Sequence, residues 1–274
     1  MKKYCVIGDP ISHSSSPIIY NFLFEHYKID AQYSKIKVAQ NELKTFVNAN
    51  ELDGFNVTIP HKQKIMPYLD ILDDSALLYN SVNTVLKKDD KLIGYSTDAL
   101  GFKLSLDEYN LSLREKTVFL FGSGGAASAL ALLCAQEKAK ELTLCSRNEH
   151  AKQEIYNLIS KYNLKINLCD AKRINNSVEN SNIFINCTPL GMESFKSDFT
   201  DFSFLDNLKA NATICDIVYK PLRTNLLQES QKRNLKTIEG ISMLIYQAFA
   251  AFEIFTGIQP PFELKQDIIK LLGL

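Results

Sequence analysis

Charge of either sign is not in excess: 31 Lys+Arg stand against 31 Asp+Glu, for a formal net charge of zero. Nucleic acids and anionic membrane surfaces are held chiefly through a basic surplus, so neither is expected as the main partner. Arginine is scarce, 5 residues against 26 lysines, which lends weight to an arginine in a suggestive place. No window reaches the roughly 18 uncharged apolar residues of a membrane span. The nearest, 241–258, is interrupted by Gln247 and Glu253. Cys5, Cys134, Cys145, Cys169, Cys187 and Cys215 form no CxxC and have no histidine pair nearby. That spacing fits neither a zinc site nor a disulfide framework, so no metal is expected. Most of these cysteines lie in apolar segments such as 142–145, where a small buried hydrophobe is the plain reading. The two N-terminal lysines precede a short apolar run, well below the ~7–15 residues at the heart of a secretory signal. The expectation is a reduced, cytoplasmic protein.

Repeats, low-complexity tracts and Pro/Gly-rich linkers are also missing, yet at about 150 residues per domain the 274 residues suggest two domains. Strands are expected at 4–8, 33–38, 55–59, 81–87 and 91–95, with helices at 17–27, 41–49, around 62–69, 71–78 and 99–109. Near residue 100 the pattern changes. Thr117-Val118-Phe119-Leu120-Phe121 is a continuous apolar run, as in a parallel strand buried on both faces. Helices at 126–138 and 149–161 then alternate with strands at 141–145, 164–168, 182–187 and 212–217, which indicates βαβ units in a parallel sheet. The segments 241–256 and 261–272 read as helical.

The strand at 117–121 runs into Gly122-Ser123-Gly124-Gly125-Ala126-Ala127, where Gly122, Gly124 and Ala127 fit G-x-G-x-x-(G/A). In that motif the first glycine permits a tight turn and the second admits a pyrophosphate to the backbone. The small third residue lets helix and strand pack, while the helix N-terminus offers free N–H groups. A tight strand–helix turn can also be purely structural, but a strand before it and a helix after it favour dinucleotide binding. At the end of the next strand, where NAD binders usually place an acid, stands Ser146-Arg147-Asn148. Arg147 is either a solvated loop cation or the partner of a 2′-phosphate, and the absence of an acid before Glu149 favours NADP.

Three polar clusters mark the first hundred residues. Ser12, Ser14, Ser15 and Ser16 precede a helix that one serine could cap, leaving hydroxyls for a small polyhydroxy or carboxylate ligand. Asn56, Thr58 and Pro60 share one face of an extended segment that leads to His61 and Lys62. By spacing alone Lys62 is ordinary surface and His61 an isolated structural histidine. Asn83-Thr84 opens one strand, and Gly94-Tyr95-Ser96-Thr97-Asp98 closes another. Asp98 either caps the helix that follows or sits beside Lys62 at the carboxyl ends of the strands.

Together these stretches resemble the quinate/shikimate dehydrogenase family. The matching motifs are Ser-His-Ser-Ser-Ser-Pro (12–17), Asn-Val-Thr-Ile-Pro-His-Lys (56–62), Val-Asn-Thr (82–84) and Ser-Thr-Asp (96–98). They continue with Gly-Ser-Gly-Gly-Ala-Ala (122–127), Asn-Cys-Thr-Pro-Leu-Gly-Met (186–192), Asp-Ile-Val-Tyr (216–219) and Gly-Ile-Ser-Met-Leu-Ile-Tyr-Gln-Ala (240–248). They keep the family's order over nearly the whole chain.

The resemblance implies an α/β fold with an N-terminal substrate domain at 1–100, completed by C-terminal helices at 241–274. A Rossmann-like NADP domain with a parallel sheet would fill 101–240. It implies NADPH-dependent, reversible reduction of 3-dehydroshikimate to shikimate in the aromatic amino-acid pathway. The catalytic pair falls on Lys62 and Asp98. Substrate contacts fall on Ser14, Ser16, Thr58, Asn83, Asp98, Tyr219 and Gln247. Cofactor contacts fall on Asp74, Gly122, Ser123, Gly124, Gly125, Ala126, Ser146, Arg147, Ile217 and Gly240. A second basic residue often follows the arginine by four positions; here Ala151 stands there, with Lys152 beside it. Other departures are Asn80-Ser81 for the usual Gly-Ala and Ser96 for the usual Asn. Quinate as a preferred or second substrate, and a catalytically silent NADP-binding regulator, are the alternatives. The second predicts loss of Lys62 or Asp98, and both are present. The sequence is compatible with a homodimer and leaves the oligomeric state open.

Overall fold

The structure is a computed structural model that describes residues 1–49 and 51–274. Its contacts divide into two compact units, 1–101 with 245–274, and 102–244.

The first unit is built on strands β1 (Lys2–Gly8), β2 (Ala31–Lys37), β3 (Gly54–Val57), β4 (Ile71–Leu72), β5 (Thr84–Lys88) and β6 (Lys91–Tyr95). Helices α1 (Ser16–His26), α2 (Leu43–Ala49), α3 (Asp74–Tyr79) and the start of α4 (Asp98–Glu108) lie between or after them. The sheet order is β2-β1-β3-β5-β6-β4. β1 pairs in parallel with β2 and β3, whereas β5 is antiparallel to both β3 and β6. Cys5, Ile7, Phe55, Val57 and Val85 bury one face of the sheet against Val38, Leu43 and Val47. Each such apolar side chain contributes roughly 1.5–3 kcal/mol on burial.

The helix expected around 62–69 is a correction. Only a single turn of 3-10 helix forms there, at Met66–Tyr68. Pro67 has no N–H to extend an α-helical ladder. Likewise the helix expected from 71 begins only at Asp74, because Ile71 and Leu72 pair with Ile93 and Gly94 as a short edge strand. The strand expected from Ser81 starts at Thr84.

The second unit carries β7 (Thr117–Phe121), α5 (Gly125–Gln136), β8 (Glu141–Cys145), α6 (Glu149–Ile159), β9 (Lys165–Cys169), α7 (Ile174–Ser177), β10 (Ile183–Asn186), β11 (Thr213–Asp216), α8 (Asn225–Lys232) and β12 (Lys236–Glu239). All five strand pairings are parallel, in the order β12-β11-β10-β7-β8-β9. This is the doubly wound order, with its reversal between β7 and β10, the position where such sheets open a ligand crevice. β7 and β10 are almost wholly buried and mostly apolar, with Thr117 and Asn186 as their polar ends. Phe119, Phe184 and Phe204 stack in sequence, with ring centroids 5.4 and 5.2 Å apart. α8 and β12, at 225–239, close the sheet in a stretch without a strong sequence pattern. The chain then continues as α9 (Gly240–Thr256) and α10 (Leu264–Leu271), and from Ile245 onward it belongs to the first unit. Among the described residues no helix is long and apolar enough to cross a membrane.

Candidate active site

In the first unit, Lys62 and Asp98 meet although 36 residues separate them. Lys62 Nζ donates to Asp98 Oδ2 at 2.6 Å. Local structure explains the meeting. Asp98 is the first residue of α4, three positions past the end of β6, and Lys62 follows the turn after β3. The Lys62 carbonyl accepts from Val82 N at 2.8 Å, which ties its segment to the approach to β5. The side chains are 25 % and 10 % exposed, so the pair is sheltered without being sealed.

Asn83 organises what surrounds the pair. Its backbone N–H donates to the Tyr95 carbonyl at 3.0 Å, and its Oδ1 accepts from Thr97 N at 2.9 Å. Its Nδ2 lies 2.9 Å from the second Asp98 oxygen and 3.3 Å from Gln247 Oε1. Thr97 Oγ1 donates to the Gln247 carbonyl at 3.0 Å, anchoring α9 to this corner. With Lys62 on one oxygen and Asn83 on the other, the Asp98 carboxylate has both oxygens occupied and its orientation set.

Asn56, which the sequence placed on the same face as Thr58, is not turned to a ligand. Its Oδ1 accepts from Tyr33 Oη at 2.6 Å, and its Nδ2 donates to Asn83 O and Thr84 Oγ1, each at 3.0 Å. It ties β3 to β5 and so supports Asn83. Thr58 is half-buried one residue past β3. His61 is fully buried, with Nε2 2.7 Å from the Val38 carbonyl, a structural placement. Ser15 is the N-cap residue of α1 but makes no side-chain cap bond. Ser14 Oγ instead accepts from Ser16 N at 3.3 Å and lies 3.2 Å from Ser16 Oγ. The hydroxyls are thus more numerous than capping requires. Asp74, expected at the cofactor, is exposed at the start of α3, which Asp73 caps through Ser75 N.

In the second unit the glycine turn lies at the carboxyl end of β7. Gly122 has φ +125°, and a Cβ there would lie 2.9 Å from the carbonyl carbon and oxygen of Cys187, just past β10. Only glycine lets the two strand ends come this close. Gly124 (φ −81°) is the N-cap residue of α5, and a Cβ on it or on Gly125 would meet no atom within 4 Å. Space over an exposed run of backbone N–H groups fits a dinucleotide pyrophosphate. Ala127 is buried, as the third small position requires, and Ala126 is half-buried.

Ser123 Oγ and Ser146 Oγ are 2.7 Å apart, joining the turn to the end of β8. Arg147 is exposed beside them. Lys152, the basic residue one place from the family's second cation, is only 3 % exposed; its Nζ is held by Glu149 Oε1 at 2.7 Å and the Cys169 carbonyl at 2.9 Å. Arg147, unlike Lys152, is exposed. Ile217 N donates to the Asn186 carbonyl at 3.2 Å, Gly240 is packed against the Ile217 backbone, and Tyr219 is half-buried nearby in sequence.

A buried carboxylate that sequence reasoning missed sits in the same unit. Asp216 accepts from Asn186 Nδ2 at 2.9 Å, Val218 N at 3.1 Å and Thr224 Oγ1 at 2.6 Å. Burial nonetheless pushes its pKa up to about 6, against the lowering effect of those bonds. Its place in Asp-Ile-Val-Tyr was the available signal. Among the described residues no group of three or more His, Cys, Asp or Glu is placed to hold a metal ion.

A doubly wound parallel sheet with a glycine turn, on a chain whose other α/β unit holds a sheltered Lys–Asp pair, defines a two-unit α/β dehydrogenase. Comparison with known proteins narrows this class. Residues 6–85 match the model of the shikimate dehydrogenase substrate binding domain, and residues 240–264 that of the shikimate 5'-dehydrogenase C-terminal domain. The shikimate dehydrogenase (NADP(+)) of Alkaliphilus metalliredigens is 37 % identical over 274 residues, covering 96 % of this chain and 94 % of the relative. That of Methanococcus maripaludis is 38 % identical over 268 residues, covering 96 % and 95 %. The shikimate 5-dehydrogenase of Listeria monocytogenes, solved in complex with shikimate and NAD, superposes with a TM-score of 0.88 at 31 % identity, covering 98 % and 96 %. The chain belongs to the shikimate dehydrogenase family.

Proposed function

We propose that this protein reversibly reduces 3-dehydroshikimate to shikimate with NADPH. The observation that carries this reading is the 2.6 Å contact between Lys62 and Asp98 beneath Asn83 and Gln247, in a chain of this family. When bound, the dinucleotide supplies or accepts the hydride. Gly122 to Ala126 would receive its pyrophosphate, Ser146 and Arg147 its adenosine phosphate end, and Ile217 and Gly240 would complete the contacts of this unit.

Carbonyl reduction leaves an alkoxide that needs a proton, and the reverse reaction needs a proton taken from the hydroxyl. Lys62 Nζ gives that proton to the substrate oxygen and takes it back in reverse. Asp98, fixed by Asn83, holds the ammonium in line through both directions. Ser14, Ser16, Thr58, Asn83 and Gln247 supply the neutral donors and acceptors that a ring bearing several hydroxyls and one carboxylate requires. Arg147, with no acid between the end of β8 and Glu149, supports NADPH over NADH.

The test is Lys62→Ala assayed for NADPH oxidation with 3-dehydroshikimate. A positioned acid/base contributes about 10²–10⁴-fold, so turnover falls at least about 100-fold while NADPH binding is retained. Near-normal turnover in the folded variant removes Lys62 from this role, and no consumption of either NADPH or NADH by the wild type overturns the function.

A further inference from the structure

The second unit holds a pair of thiols that the proposed reaction does not use. Cys145 ends β8 and Cys169 ends β9, and they are direct partners in the parallel register. Their side chains face each other, with Cys145 Sγ donating to Cys169 Sγ at 3.4 Å. Neighbouring strands run about 4.7–4.9 Å apart, within the 4.4–6.8 Å between Cα atoms that a disulfide accepts. Closing to the roughly 2.05 Å of an S–S bond therefore asks for side-chain adjustment, not for strand separation.

The pair differs chemically from the other four cysteines. Burial pushes Cys5 and Cys134 up to about 12, and it raises Cys187 and Cys215 as well. Such thiols are inert. Cys169 is drawn down to about 6, first by the Cys145 S–H bond and then by Ser177 and the Lys152 ammonium, with burial opposing them. Cys145 is correspondingly raised, chiefly by giving that bond. Cys169 is 6 % exposed and Cys145 fully buried, so Cys169 is the sulfur that a small oxidant meets. The plain reading of these two cysteines as small buried hydrophobes is thus incomplete.

The pair also touches the loop assigned to the cofactor's adenosine phosphate end. Ser146 directly follows Cys145. Its N–H donates to the Cys169 carbonyl at 3.2 Å, and its Oγ accepts from Asn148 N at 3.1 Å while lying 2.7 Å from Ser123 Oγ. The Cys169 carbonyl is the same one that holds Lys152.

We infer that Cys145 and Cys169 form an oxidisable dithiol, closed to a disulfide by peroxide, whose closure weakens NADPH binding by displacing the Ser146–Asn148 loop. The coupling to NADPH rests on the proposed function; the disulfide itself does not. The Cys169 thiolate attacks the peroxide, so that an S–O bond forms, the O–O bond breaks and hydroxide leaves. Cys145 sulfur then attacks the sulfenic acid, the S–S bond forms and the S–O bond breaks. The hydroxyl departs as water with the Cys145 proton. The dithiol loses two electrons and two protons, and hydrogen peroxide becomes two waters.

The experiment treats the purified full-length protein with hydrogen peroxide and maps the unreduced peptides by mass spectrometry. A Cys145–Cys169 cross-link, reversed by dithiothreitol, is expected. Sulfinic or sulfonic acid on Cys169 without a cross-link, or a cross-link between other cysteines, overturns the dithiol. In the cross-linked protein the NADPH KM rises roughly fivefold or more, the lower end of ordinary coupling between sites, with kcat at saturating NADPH retained. By reciprocity, bound NADPH shifts the equilibrium of the pair against dithiothreitol toward the thiols by the factor that closure adds to its Kd. An unchanged KM in the cross-linked protein overturns the coupling. Cys145→Ala removes the cross-link and leaves oxidised Cys169 as the sulfenic or a higher acid; a dithiothreitol-sensitive cross-link to Cys169 that persists in that variant overturns the assignment. A reduced wild type that never turns over NADPH defeats the proposed function and the coupling, while the peptide map still decides the dithiol.

Discussion

Two alanine substitutions two residues apart in the glycine turn should fail in opposite ways. At Gly122 the backbone has φ +125°, and the new methyl would lie 2.9 Å from the Cys187 carbonyl group. An unfavourable φ of this kind costs about 1–3 kcal/mol, and the backbone clash adds to it, so a loss of at least about 2 kcal/mol follows. For a unit of this size each kcal/mol lowers Tm by about 2–4 °C, so Gly122→Ala should melt about 4–8 °C or more below the wild type. At Gly124 φ is −81° and no atom lies within 4 Å of the new methyl. Alanine is a poorer N-cap than glycine by roughly 0.5–1 kcal/mol, offset by the ~0.4–1 kcal/mol from a stiffer unfolded chain. Gly124→Ala should therefore melt within a degree or two of wild type. Its methyl instead occupies the space through which a pyrophosphate approaches the backbone, so the NADPH Kd should rise at least about tenfold, or 1.4 kcal/mol. Thermal unfolding without cofactor and a fluorescence titration with NADPH read the two effects separately. Normal NADPH binding by Gly124→Ala would refute the placement of the phosphates, and an unshifted Tm for Gly122→Ala would refute the close approach of β7 and β10.

Arg147→Ala should raise the NADPH KM about 10- to 100-fold, the worth of a hydrogen-bonded charge at roughly 1.5–3 kcal/mol, and leave the NADH KM nearly unchanged. Equal effects on both dinucleotides would show that Arg147 does not read the 2′-phosphate. Asp216 makes a prediction about pH. Its folded pKa, about 6, lies above the ordinary 3.8, so between those values the folded state holds a proton that the unfolded state has released. Its contribution therefore favours the fold below about pH 4 and is lost as pH rises through about 6, a change of roughly 3 kcal/mol. Urea unfolding of the wild type and Asp216→Asn at pH 4 and pH 7 should show the variant gaining relative stability at the higher pH; equal differences at both pH values would contradict a raised Asp216.

The alternation of strands and helices from 117 to 217 was legible because βαβ units impose a period on the chain. The apolar run at 117–121, with Gly122, Gly124 and Ala127 after it, carries both the turn and its packing. The Lys62 segment was legible as a motif but not as a shape. Its helical pattern gives way to a turn because Pro67 lacks an N–H, a local effect overridden in the reading by apolar spacing. Asn56 shows the limit from the other side. Period-two spacing placed it on the face of Thr58, but a buried amide must satisfy its hydrogen bonds, and Tyr33, Asn83 and Thr84 take both of its donors and one oxygen lone pair.

Local sequence alone settled the parallel sheet, the glycine turn, and the lack of an acid where Arg147 stands, because each depends on neighbours within a few residues. Tertiary structure alone decided that Lys62 meets Asp98, that Asn83 joins them to Gln247, that Lys152 is tied down, and that Cys145 faces Cys169. Those contacts span from 17 to 164 residues of chain, and they exist because sheet register and helix packing bring distant segments together. Charge and hydrogen-bonding capacity are written into each residue type. Which groups share them depends on distances of about 3 Å that no one-dimensional spacing specifies.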